Sequence, residues 1–343
     1  MIFLTSEGMI FPLSTILILD ENNDNKCCRK EYKRTMDVFL SAFQQMLFMF
    51  LFMMLGYILR KRNLIPENSS SVLSKLENLV FMPCLVLNTF MTRCTIQNLT
   101  EKISFLFYSL ISLVIALALS LLLTPLFAEK KEERGIYRYS FMVANIAFMG
   151  NAVVEGIFGD DVLFDYLMFT LPINLFLNSV GISWLMPDNG ELSWRQKWFG
   201  PINLASILGV LLGITEVILP PPLPAVITSG SVCMAPVAMI LTGFIIGGYP
   251  LRTLLSAGKI YLVAFYRLLF MPLLFALLAR LVRLSPDIRH VLICAYAMPL
   301  GLNTIVIPAA YDSDTTIGAS MALISNLLAL ITIPLVFFVL LQD

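Results

Sequence analysis

The chain has 343 residues, 58% of them hydrophobic and 13% charged, with a mean hydropathy of +0.83. Soluble domains carry about 25% charged and about 45–50% apolar residues, so this composition excludes a water-soluble globule. With 23 basic and 23 acidic residues the formal net charge is zero, and no basic surplus points to a nucleic-acid partner.

Residues 1–36 stand apart from the rest of the chain. Met9–Leu19 is apolar but too short to span a bilayer, Glu7 occupies the place where a signal peptide is basic, and Asp20–Arg34 is polar. Met36 opens a run that reads as a natural start. Two readings stay open: an upstream extension with Met36 as the initiator, or a short interfacial segment.

Ten apolar spans come next, at 37–60, 71–92, 103–128, 136–158, 162–186, 200–219, 224–248, 258–283, 288–311 and 316–341. Runs of about 20 apolar residues cross a bilayer as helices, since in lipid each segment must satisfy its own backbone hydrogen bonds. Barrel strands would alternate in polarity over about 10 residues, and 103–128 does not alternate. The expected fold is therefore all-α and polytopic. The connections are short; the longest, 187–199, carries the turn residues Pro187, Asp188, Asn189 and Gly190.

Lysine and arginine gather on one face, at Arg60, Lys61, Arg62, Lys75, Lys130, Lys131, Arg134, Arg138, Arg195, Lys197, Arg252 and Lys259. The other face has Arg93, Lys102, Arg280, Arg283 and Arg289. The positive-inside rule makes the first face cytoplasmic and puts both termini outside.

An odd number of spans per half requires that a duplication invert its second copy. The expected organisation is thus a first five-helix repeat at 37–186, a cytoplasmic loop at 187–199 and an inverted repeat at 200–341, an arrangement used by transporters. Gly56 and Gly209, Pro83 and Pro236, and Thr89 and Thr242 coincide at an offset of 153 residues. Asn151 and Asn303, Asp160 and Asp312, and Asn174 and Asn326 coincide at 152.

Spans four and nine carry the breaks. The fourth reads Ala144-Asn145-Ile146-Ala147-Phe148-Met149-Gly150-Asn151, and the ninth Ala297-Met298-Pro299-Leu300-Gly301-Leu302-Asn303-Thr304. Gly, Pro and Asn at mid-span weaken a helix. Irregular backbone at membrane depth is tolerated only against protein or a water-filled cavity. A half-helix N-terminus aimed into the membrane suits an anionic substrate.

These residues resemble the auxin efflux carrier family, which includes plant PIN-FORMED carriers and bacterial malate or malonate permeases. Gly56-Tyr57-Ile58-Leu59-Arg60-Lys61 with Leu64 is similar to the end of that family's first helix, and Val80-Phe81-Met82-Pro83-Cys84-Leu85 to its second-helix proline motif. Asn145 through Gly150 resembles its crossover, and Pro201 to Gly209 its sixth helix. Pro236, Gly243, Met271-Pro272, Pro299 and Tyr311 stand in the matching order. The chain departs from the family at Ala152, where proline is usual, and at Asn151 and Glu155. The family register pairs position 152 with Pro299, against the offset of 152 residues suggested by the asparagines. The resemblance implies a scaffold of two helices per half that dimerises, a mobile domain of three per half, elevator-like transport and substrate held at the crossover.

Asn145, Asn151 and Asn303 are candidates to hydrogen-bond a carboxylate; the alternative is that they satisfy broken backbone. Asn174 and Asn326, on the following spans, are candidates for the same work or for interhelical hydrogen bonds. Gly150, Pro299 and Gly301 read as helix breakers that allow close approach. Arg267, well inside a span, suits an anion or snorkels to the interface. Glu155 shares a helical face with Asn151 and is a candidate proton carrier or a helix-end charge.

Rival classes find little support. Gly159-Asp160 and Tyr311-Asp312 come in the reverse of the intramembrane aspartyl protease order. There is no HExxH, GxSxG or P-loop, and no ring of charge or carbonyl filter for a channel. No CxxC pair occurs and His290 is the sole histidine, so neither a metal site nor a cofactor is expected. The sequence thus reads as a carrier of small organic anions in a cytoplasmic membrane, with a channel or receptor-like protein as the alternative.

Overall fold

In a computed structural model of the chain, residues 23–186, 200–310 and 313–341 are described. The stretch 1–22, the loop 187–199, Tyr311, Asp312, Gln342 and Asp343 lie outside them. The long apolar runs form helices: α1 (Asn23–Lys61), α2 (Ser69–Arg93), α3 (Ile103–Phe127), α4 (Lys131–Met142), α5 (Ile146–Trp184), α6 (Pro201–Thr215), α7 (Pro222–Gly247), α8 (Gly258–Val282), α9 (Pro286–Ala297), α10 (Asn303–Ala310) and α11 (Thr316–Leu340). The chain is a multi-pass α-helical membrane protein, and seven of these helices are long and apolar enough to cross a bilayer. They are α2, α3, α5, α7, α8, α11 and the Met36–Lys61 part of α1. Helix α6 has the apolar character but is shorter.

The fourth and ninth expected spans are each two pieces, α4 with the start of α5, and α9 with α10. The fourth and fifth are continuous through α5, which turns a corner at Gly159. There φ is 80°, and no heavy atom lies within 4 Å of where a Cβ would stand. A side chain would fit; the backbone sign is what favours glycine.

Among the described residues, four single turns widen to the π form, at Glu77–Phe81, Ile146–Gly150, Leu177–Gly181 and Tyr266–Phe270. Two of them run directly into Met-Pro pairs, Met82-Pro83 and Met271-Pro272. A proline ring collides with the carbonyl four residues back and offers no N–H, and a widened turn relieves both problems at once.

The most extensive pairings are α1 with α7 and α2 with α6. Glycine makes both possible. A Cβ on Gly56 would stand 2.0 Å from the Ile240 carbonyl oxygen, and one on Gly243 1.7 Å from that of Met53. In the second pair a Cβ on Gly209 would meet Phe90 at 2.8 Å, and one on Gly213 would meet the Cys94 carbonyl at 2.6 Å. Small residues let helix backbones approach where lipid gives no hydrophobic driving force between helices.

Charged pairs sit at the helix ends. Arg93 binds Asp160 and Asp161, and Lys102 binds Asp165 at 2.7 Å. At the opposite ends Arg60 binds Glu67, and Lys259 binds Glu129. The Lys259 ammonium holds the Glu129 carboxyl below the usual carboxylate range.

Candidate functional site

Helix α4 stops at Met142, and Val143 is extended, with φ −126° and ψ 136°. Helix α9 stops at Ala297 because Met298 precedes Pro299. The residue before proline is pushed out of the helical region, and Met298 has φ −69° and ψ 152°. The two extended stretches meet. Ala144 and Leu300 form an antiparallel bridge, and the Asn145 N–H donates to the Pro299 carbonyl at 2.8 Å. The Leu300 N–H donates to Ser325 Oγ at 3.2 Å. One bond thus satisfies a backbone group from each break and Ser325 of α11 satisfies another, which is how irregular backbone survives among membrane helices.

The expected breaks are present, but their position in the first half differs. The crossing centres on Ala144, so position 152, which the family register pairs with Pro299, lies about two turns inside α5. Gly150 does not break the helix; its φ of −61° and ψ of −47° are helical. Its missing Cβ serves the Tyr166 hydroxyl, which would stand 2.1 Å from such an atom and which donates to the Ile146 carbonyl at 3.0 Å.

Helices α5 and α10 both begin at the crossing, beside a cavity of about 50 Å³. Asn78, Met82 and Val86 of α2 form one wall. Residues 144–148 and Asn151 form a second, with Leu167, Asn174 and Leu177 farther along α5. Tyr139, Ile202, Gly301, Leu302 and Asn303 complete the lining. Five asparagines and a tyrosine supply its polarity, and among the described residues no charged side chain lines it.

Asn145 caps the start of α5 through Oδ1, which accepts from the Met149 N–H at 3.4 Å. Its Nδ2 is buried with no hydrogen-bond partner, and so is Oδ1 of Asn151. Each such orphan costs about 1–3 kcal/mol, and buried polar atoms are otherwise nearly always paired. Two such atoms belong to residues that line this one cavity. Asn303 Nδ2 donates to the Tyr139 hydroxyl at 2.7 Å, tying α10 to α4 across the crossing.

Of the residues singled out in the sequence, Asn145, Asn151, Asn174, Gly301 and Asn303 come together here, with Pro299 contributing its carbonyl. Asn326 lies elsewhere, lining a small apolar cavity with Met46, Met49 and Met149 and donating to the Ala322 carbonyl at 2.8 Å. Arg267 is fully buried outside the cavity. Its guanidinium donates to the Met142 carbonyl at 3.3 Å and lies over the Tyr296 ring. A cation there favours the negative end of α4. Glu155 has an exposed side chain away from the cavity. Asn78 and Tyr139 are not distinguished by sequence: a polar residue near a helix start and an aromatic among apolar neighbours carry no telling pattern. Their i, i+4 and cross-break partners identify them only in three dimensions.

A family model described as "Membrane transport protein" matches residues 41–337. A protein of Methanothermobacter thermautotrophicus described as "Uncharacterized transporter" is 24% identical over 307 residues. That alignment covers 87% of this chain and 98% of the relative.

Proposed function

Because the chain belongs to the membrane transport protein family, that of the auxin efflux carriers, and is a transporter and not an enzyme, we propose that it carries small organic anions, mono- or dicarboxylates, through the crossing of its two broken helices. The observation that carries this reading is the pair of backbone breaks at one cavity, beside the unpartnered Asn145 Nδ2. A carboxylate there would accept from Asn145 and face the N-terminal ends of α5 and α10, whose partial positive charge favours an anion. The Asn151 oxygen would accept from a hydroxyl of the substrate or of its hydration shell.

Two inverted five-helix repeats are supported by a contact that the spacing of glycines anticipates. The offset of 153 residues carries Gly56 onto Gly209 and Leu87 onto Ile240, and each glycine packs on the helix holding its partner residue. The same offset carries the close contact of Arg60 with Gly247 onto that of Gly213 with Cys94. The cavity lies where α2 and α6 face the helices of the crossing. That boundary is where an elevator-type carrier would hold its cargo between scaffold and moving domain. We place the protein in a cytoplasmic membrane with both termini outside, its scaffold forming a dimer.

The test is counterflow of labelled malate and malonate in proteoliposomes, for wild type and Asn303→Ala. Saturable exchange lost in the variant is the expected outcome. Non-saturable flux would indicate a channel, and exchange that survives in the variant would remove Asn303 as a ligand.

A further inference from the structure

Glu77 is the one carboxylate within α2, and its side chain is fully buried. Both carboxyl oxygens are sealed from solvent and neither has a hydrogen-bond partner. The helices packed against this turn provide no counter-charge. Among the described residues, α6 holds no titratable side chain and α7 only Cys233, which is exposed. On α2 itself, Lys75 is exposed, Cys84 is half-buried and uncharged, and Arg93 is engaged with Asp160 and Asp161 at the far end. An ionised carboxylate in such a place is among the costliest arrangements a membrane helix can adopt. A neutral carboxyl costs far less, and needs only a proton to form.

The placement ties this group to the cavity. Glu77 opens the widened turn Glu77–Phe81, and its carbonyl accepts from the Met82 N–H, five residues on. In a turn of that width Glu77 sits beneath Met82, which lines the cavity together with the next residue, Asn78. In an ordinary α-turn Met82 would be rotated farther from it.

We propose that Glu77 is a proton-binding site coupled to the cargo of the cavity: an anion bound beside Asn78 and Met82 is accompanied by a proton on Glu77. The coupling half of this proposal rests on the carrier function above. An anion and a carboxylate one turn apart repel each other, so anion binding favours protonation, and protonation favours anion binding by the same factor. The carboxylate takes one proton from water on the face where the anion enters. Proton and anion cross together, a monoanion then moving without net charge, and the proton leaves to water on the other face. The carboxylate is thereby restored.

Two measurements test this on the full-length protein in bilayers. The first is the infrared carbonyl band of a protonated carboxyl at neutral pH, for wild type, Glu77→Gln and Glu77→Asp. The band should be present in wild type, absent in Glu77→Gln and shifted in Glu77→Asp. A band that Glu77→Gln leaves unchanged overturns the proposal, and this readout needs no substrate. The second compares malate uptake driven by a proton gradient with malate exchange at balanced pH. Glutamine keeps the neutral form without a proton to give, so gradient-driven uptake should be lost while exchange continues. Gradient-driven uptake persisting in Glu77→Gln, or wild-type uptake indifferent to the gradient despite saturable exchange, reduces Glu77 to a structural acid and overturns the coupling. No exchange by wild type at all sinks the proposed cargo, while the infrared band still decides whether Glu77 binds a proton.

Discussion

The two ends of the Asn145 amide differ: Oδ1 caps α5, and Nδ2 is buried without a partner in a residue that lines the cavity. Asn145→Asp separates them. It keeps an acceptor for the Met149 N–H, so the protein folds, but it removes the donor and adds negative charge. Losing a hydrogen bond to a charged ligand costs about 1.5–3 kcal/mol, or about 10- to 100-fold in apparent affinity for the transported anion. Saturation curves for exchange measure this directly. Tyr139→Phe deletes only the acceptor of Asn303 Nδ2, a loss of about 1 kcal/mol and roughly fivefold in affinity. The Arg267 guanidinium reaches the Met142 carbonyl and does not line the cavity. Arg267→Met should lower the unfolding temperature in detergent, by about 1–3 kcal/mol of stability for the freed carbonyl. A rise in KM without loss of stability would instead mark Arg267 as an anion ligand.

Among the helices, the close pairings and the corner in α5 depend on glycine for different reasons, and the same substitution distinguishes them. Gly243→Ala forces a methyl group against the Met53 carbonyl, so the backbones of α1 and α7 must part; overpacking of this kind costs about 1–3 kcal/mol. Gly159→Ala meets open space, and its cost is the conformational penalty alone, about 1–3 kcal/mol for an extended backbone at positive φ. The first should weaken the protein against heat far more in combination with Gly56→Ala; the second should act independently of both. The breaks are legible in the sequence because proline dictates the conformation of the residue before it, which locates the stop at Met298. The partner break is legible only to within about two turns. Gly150 stands out because glycine disfavours helices, yet here the surrounding packing overrides that propensity, and the turn ends at Val143, whose side chain carries no such signal. Glu77 is hidden for a related reason. A charge eight residues into a helix reads as an end group, and only the widened turn sets it inward.

For the molecule as a whole, the apolar runs make a multi-pass helical protein plain, and the charged pairs at the helix ends give it sides. Glu67 and Asp161 are both exposed, one beside Arg60 and the other beside Arg93. An impermeant thiol reagent should label Asp161→Cys in intact cells and Glu67→Cys only after permeabilisation; the reverse pattern would invert the proposed orientation. The cavity's full lining is not legible in the sequence, because it draws on α2, α4, α5, α6 and α10, which meet only once the chain is folded. The bridge between Ala144 and Leu300 bears on how such a molecule changes over time. Its polar groups belong to the main chain, which no substitution short of proline deletes. Descendants of this sequence are therefore free to exchange Asn78, Asn151 or Asn174 for other side chains, while inheriting unaltered the main-chain bridge that joins the two breaks.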